Sequence, residues 1–131
     1  MKILAIDYGR AKLGLALAES KIAEPYSVIR YRDIKILREK LKEIIEKNWI
    51  DKVVVGISEG KMGEEARAFS LSLRKILSIP IDTFDETLTT LDAQKKAIEA
   101  GVKRKRRKEL EDAYAAAIIL ENYLDQYERA I

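Results

Sequence analysis

The sequence predicts an α/β domain built on a mixed five-stranded sheet, an antiparallel meander followed by parallel strands, with helices on its faces. Three observations predict it. Two short runs, KILAID (residues 2–7) and KVVVGI (52–57), are almost continuously apolar, as strands buried on both faces are. The first 32 residues carry strand and turn signals without a helical period, whereas strand and helix signals alternate after residue 33. The length, 131 residues, is that of one ordinary domain, and no low-complexity linker or internal repeat divides it.

Taken in order, residues 2–7 form the first strand, and YGR is a turn containing Gly9. KLGLALA (12–18) is a second strand, and YSVIRYR (26–32), after Pro25, a third. Ile34, Leu37, Leu41, Ile44 and Ile45 then fall at helical spacing over 33–48, with charges on the other face and Asp33 as N-cap. Residues 52–57 are the fourth strand, and SEGKMG (58–63) reads as a loop. Ala66, Phe69, Leu73, Ile76 and Leu77 mark a second helix that Pro80 stops. A short strand at 80–84, a helix over about 89–100 with Gly101 at C′, and a last helix over about 106–128 complete the chain. The last carries Leu110, Ala113, Tyr114, Ala117, Leu120 and Leu124 as its apolar stripe.

Composition narrows the chemistry. The chain has neither Cys nor His, so disulfides, thiolate sites, imidazole bases and Ser–His or Cys–His nucleophiles are excluded. Any metal must be held by oxygen ligands, which favours Mg²⁺, Mn²⁺ or Ca²⁺ over zinc. With no apolar run long enough to span a bilayer and no basic leader before KILAID, the expected setting is the cytoplasm, without membrane contact. The formal net charge is +3, yet KRKRRK at 103–108 alone holds six cations, so the remainder is net acidic.

Three acidic residues stand where chemistry would need them. Asp7 ends an apolar strand, at the sheet edge where α/β proteins place ligands, although an Asp there also starts turns. Glu86 follows the strand 80–84; acidic residues near a helix start also favour the dipole. Asp112 is the most informative: its i+3, i+4 and i+7 neighbours are Ala115, Ala116 and Ile119, so a carboxylate heads a small, apolar stripe. Carboxylates from three separate elements suit a site holding one or two divalent ions that activates water against a phosphodiester. The run Lys103, Arg104, Lys105, Arg106, Arg107 and Lys108, beside Asp112, and the turn cations Arg10 and Lys12 would hold phosphates. Tyr8 is either a base-stacking ring or part of the core.

Together, IDYGRAKLGLA (6–16), VVGISEGKMG (54–63), FDETLTTLDA (84–93) and EDAYAAAIILENYL (111–124) resemble the YqgF, or RuvX-type, family of Holliday junction resolvases and pre-16S rRNA nucleases. The resemblance spans nearly the whole chain in the right order. It implies an RNase H-like fold and places the family's catalytic, metal-holding triad on Asp7, Glu86 and Asp112, its basic turn on Arg10 and Lys12, and its paired threonines on Thr89 and Thr90. Two departures stand out. Ser58 and Met62 replace a Pro-containing acidic loop, and Lys12 replaces the usual Arg. Glu59, after the fourth strand, is an alternative or additional metal ligand. The resemblance implies a metal-dependent nuclease with 5′-end processing of precursor 16S rRNA in ribosome biogenesis as its task, alongside ribosomal assembly factors and as a monomer or homodimer. Resolution of branched DNA and non-catalytic nucleic-acid binding are the rival readings. An actin-like ATPase also opens on a strand ending in Asp, but binds its nucleotide between two such domains.

Overall fold

A computed structural model of the chain describes residues 1–20, 22–85 and 104–130. Its elements are β1 (Ile3–Asp7), β2 (Lys12–Ala18), β3 (Ala23–Arg30), α1 (Ile34–Lys47), β4 (Lys52–Ile57), α2 (Gly60–Ile76), β5 (Ile81–Asp85) and α3 (Arg104–Ala130). The five strands form one sheet in the order β3-β2-β1-β4-β5. β1 pairs antiparallel with β2 and parallel with β4; β2 and β3 are antiparallel, β4 and β5 parallel. This is the expected mixed sheet, with β1 at its centre. The helix expected over 89–100, Gly101, Thr89 and Thr90 lie outside the described residues.

The central strand owes its apolar sequence to burial on both sides. Because side chains alternate along a strand, Leu4 and Ile6 face one layer of helices and Ile3 and Ala5 the other. The first core joins Leu4, Ile6, Leu13, Leu15, Val53 and Val55 to Leu37 and Leu41 of α1 and Phe69 and Leu73 of α2. The second joins Ile3, Ala5, Ala16, Ala18 and Val54 to Ala116, Ile119, Leu120 and Tyr123 of α3. Sheet residues of the second core are smaller, so α3 can lie close to the strands. Asp33 caps α1 as expected, its carboxylate accepting from the Lys35 N–H at 2.9 Å.

Three departures from the expected boundaries have a physical cause. β3 starts at Ala23 and contains Pro25. It is an edge strand, where proline is tolerated, and the pairing with β2 shifts register between Leu15 and Ala16, where Pro25 is the partner of Ala16. The loop expected over 58–63 shrinks to Ser58 and Glu59, because both of its glycines serve the entry to α2. Gly60 takes φ +75°, and a Cβ on Gly63 would overlap the Ser58 carbonyl. Finally, α3 begins at Arg104, so residues 104–108 of the basic run are helical, in keeping with the helix propensity of Lys and Arg. No helix of the described residues is long and apolar enough to cross a membrane.

Candidate active site

Asp7 closes β1 with Gly14 of β2 as its partner on one side and Gly56 of β4 on the other. Paired residues lie about 5 Å apart between Cα atoms. Strand alternation puts Asp7 on the same face as Ile3 and Ala5, under α3. The two flanking glycines leave that face without side-chain bulk around the carboxylate.

Asp112 reaches the same place from the helix. A Cβ built on Gly14 would overlap the Asp112 carbonyl and come within 2.8 Å of the Asp112 Cβ. The helix backbone therefore rests directly on Gly14, the strand partner of Asp7. Ala113, Ala115, Ala116 and Ile119 are buried around this crossing. The small stripe seen in the sequence is what lets α3 approach, and the approach brings two carboxylates from distant parts of the chain to one sheet edge.

The turn between β1 and β2 is fastened from several directions. The Tyr31 hydroxyl donates to the Gly9 carbonyl, and the Tyr31 N–H donates to the Ala11 carbonyl at 3.0 Å. Arg10 donates through Nε to both carboxylate oxygens of Glu65 on α2, at 3.1 and 2.9 Å. That contact, as hydrogen bond and as charge, raises the Arg10 pKa further. Lys12 Nζ lies 2.8 Å from Asp112 Oδ2. The two turn cations expected to hold phosphate thus each rest on a carboxylate of a helix. Tyr8 turns the other way and packs on Phe69, ring centroids 5.1 Å apart, which supports its core reading.

Burial, followed by the nearby Tyr8 hydroxyl, pushes Tyr31 up to about 12. Its folded pKa stands above the unfolded value of about 10. The stability it contributes is therefore complete below about pH 10 and lost as pH rises towards 12. Melting curves between pH 8 and 11.5 should fall less steeply for Tyr31→Phe than for the wild type. At pH 8 the variant should be about 1 kcal/mol less stable, the value of one hydrogen bond. Parallel alkaline limbs would contradict this role for Tyr31.

Glu59 is the N-cap residue of α2 and makes no side-chain cap hydrogen bond. It lines a cleft of about 260 Å³ with Ile57, Ser58, Arg67, Thr83, Phe84 and Asp85. Glu86 and Lys103 lie outside the described residues, and the chain reaches Asp85 at the end of β5 on the same edge as Asp7, through the registers Asp7–Gly56 and Gly56–Phe84. Among the described residues no group of three or more carboxylates is placed to hold a metal. Sequence reading missed Glu65, Tyr31 and Arg67; the first two fasten the turn that follows Asp7. Glu65 carried a faint signal, standing two residues after a glycine of the quoted motifs, and Tyr31 none.

Comparison with known proteins decides the family. The family model described as RuvX, Holliday junction resolvase, matches residues 1–126. The chain belongs to the RuvX family. A relative from Caldanaerobacter subterraneus subsp. tengcongensis, named as a candidate pre-16S rRNA nuclease, is 37% identical over 95% of this chain and 96% of its own length. One from Oceanobacillus iheyensis, with the same name, is 33% identical over 96% and 99%. Among solved structures, Thermus thermophilus RuvC bound to a Holliday junction has a TM-score of 0.65 at 17% identity, covering 99% of this chain and 96% of that one. Fowlpox virus resolvase bound to junction DNA has a TM-score of 0.65 at 12% identity, covering 97% and 99%. At these identities the two structures speak for the fold, which is the RNase H-like fold expected of a RuvX chain.

Asp7 and Asp112 offer oxygen donors of the kind a hard divalent ion takes. The chain has no His or Cys, so its donors are oxygens. A cation already sits on Asp112 in the form of the Lys12 ammonium, which shows that positive charge is accommodated there. Gly14 and Gly56 flank Asp7 in the sheet, and the α3 backbone at Asp112 occupies the space above Gly14.

Proposed function

We propose that this chain is a metal-dependent nuclease that hydrolyses phosphodiester bonds of structured nucleic acid, and that its task is maturation of the 5′ end of precursor 16S rRNA. The observation that carries the reading is that the α3 backbone at Asp112 rests on Gly14, the strand partner of Asp7, so two acidic residues of separate elements stand at one edge of the sheet. Asp7 and Asp112 would hold Mg²⁺ or Mn²⁺, with Glu86 as the third carboxylate and Glu59 as its alternative. When bound, the metal supplies a water nucleophile near neutral pH and offsets charge on the phosphate. Without His or Cys there is no conventional base–nucleophile pair, so attack by water on phosphorus, without a covalent enzyme intermediate, is the expected course.

The basic run supports a nucleic-acid substrate. Five of its six cations open α3, the positive end of the helix dipole, where cations are unfavourable. Phosphates beside that end would relieve the repulsion. Replacing all six by Gln should weaken binding and flatten the dependence of log K on log salt by about 0.7–0.9 for each cation that meets a phosphate. An unchanged slope would reduce the run to a solvated surface.

The RuvX description and its relatives' names leave two substrates. The test is a cleavage assay offering a precursor 16S rRNA fragment and a four-way DNA junction side by side, with Mg²⁺, with Mn²⁺ and with EDTA. Metal-dependent cut at the RNA 5′ end is the expected result. Symmetric cutting of the junction alone would select the resolvase reading, and binding without cleavage under every metal would select the non-catalytic one.

A further inference from the structure

We propose that Lys12 is a place-holding cation: its ammonium occupies Asp112 in the metal-free protein and is displaced when a divalent ion enters, becoming available to the substrate phosphate. The inference rests on the metal-dependent reading above.

Geometry and chemistry both point this way. The Nζ–Oδ2 distance of 2.8 Å is that of a charge-assisted hydrogen bond. Lys12 shares the α3 face of β2 with Gly14, two residues on, so the sheet aims its side chain at the crossing where Asp112 meets Asp7. The pair is formed yet accessible, with 40% of the Lys12 and 27% of the Asp112 side-chain surface exposed. Such a partly solvated pair is weak, so a doubly charged ion can replace it. The identity of the cation matters as well. A Lys ammonium is a single point charge on a flexible stem, able to swing away without backbone movement, whereas an Arg fork can grip a carboxylate through two bonds. Arg10, in the same turn, shares its Nε–H between both oxygens of Glu65. Lys12 also offsets negative charge at this sheet edge, which favours α3 seated on Gly14.

The test measures metal binding rather than turnover. Mn²⁺ is titrated calorimetrically into the full chain, without nucleic acid, for wild type, Lys12→Gln and Lys12→Arg. Removing the competitor should tighten Mn²⁺ binding about three- to tenfold in Lys12→Gln, while Lys12→Arg should bind Mn²⁺ as the wild type does or more weakly. In EDTA, Lys12→Gln should melt below the wild type, and Mn²⁺ should raise its melting temperature by more. Equal or weaker Mn²⁺ affinity in Lys12→Gln, beside saturable binding by the wild type, would overturn the place-holder role and leave the nuclease reading standing. Failure of all three proteins to bind Mn²⁺ would overturn both. Should Lys12→Gln not fold, the order of wild type and Lys12→Arg decides: tighter binding by the Arg variant contradicts the proposal.

Discussion

Replacing Asp7 by Asn should lower cleavage by about a thousandfold or more, equivalent to ~4 kcal/mol of transition-state stabilisation, while leaving the fold intact. Asp7 ends the central strand, between two glycines, and faces the helix that delivers Asp112. An amide in its place keeps the shape but loses the charge needed to hold a divalent ion. The isosteric exchange of one carboxylate for an amide should leave the metal-free protein folded. In EDTA the variant should melt at the wild-type temperature or slightly above it, and Mn²⁺ should stabilise it less than it stabilises the wild type. Wild-type turnover in the variant, or full activity of the wild type in EDTA, would refute the role given to Asp7.

The second large effect should come from a single methyl group. In Gly14→Ala the new Cβ meets the Asp112 carbonyl and Cβ, and neither is the far end of a flexible side chain. The helix must move off the strand. Overpacking of this kind costs about 3 kcal/mol, which for a domain of this length lowers the melting temperature by roughly 10 °C. The displacement also carries Asp112 away from Asp7, and a misplacement near 1 Å can cost about a hundredfold in rate. Gly60→Ala is the control. Gly60 has φ +75° with nothing within 4 Å of an added Cβ, so the change should cost about 1 kcal/mol of stability through backbone strain and little activity. Equal losses in the two variants would show that the Gly14 crossing has no special part in the site.

The elements most legible in the sequence were those with one strong local signal. KVVVGI could hardly be anything but a buried strand, and β4 spans it residue for residue. Asp33 before a helical period marked the start of α1. The stripe below Asp112 was read as a close-packed face, and the residues of that stripe are buried. Where expectation departed from the structure, the deciding quantity was not local. Pro25 stopped the predicted strand because its position at a sheet edge depends on which strands pair, and periodicity does not say. The glycines of SEGKMG looked like a loop because a helix entry with positive φ looks the same in sequence. The pairs Lys12–Asp112 and Arg10–Glu65 join residues far apart in the chain. Alternation places each on a face, but which helix crosses above it is set by packing. Turn cations adjacent to an acidic strand end therefore suggested phosphate contacts before their protein partners could be known.

Manganese anomalous diffraction from crystals of the wild-type chain soaked in Mn²⁺ tests the central claim most directly. A peak is expected within about 2.5 Å of carboxylate oxygens of both Asp7 and Asp112, with Glu86 in its coordination shell and the Lys12 ammonium moved off Asp112. A Mn²⁺ site elsewhere in a protein that cleaves nucleic acid, with Lys12 still seated on Asp112, would contradict it.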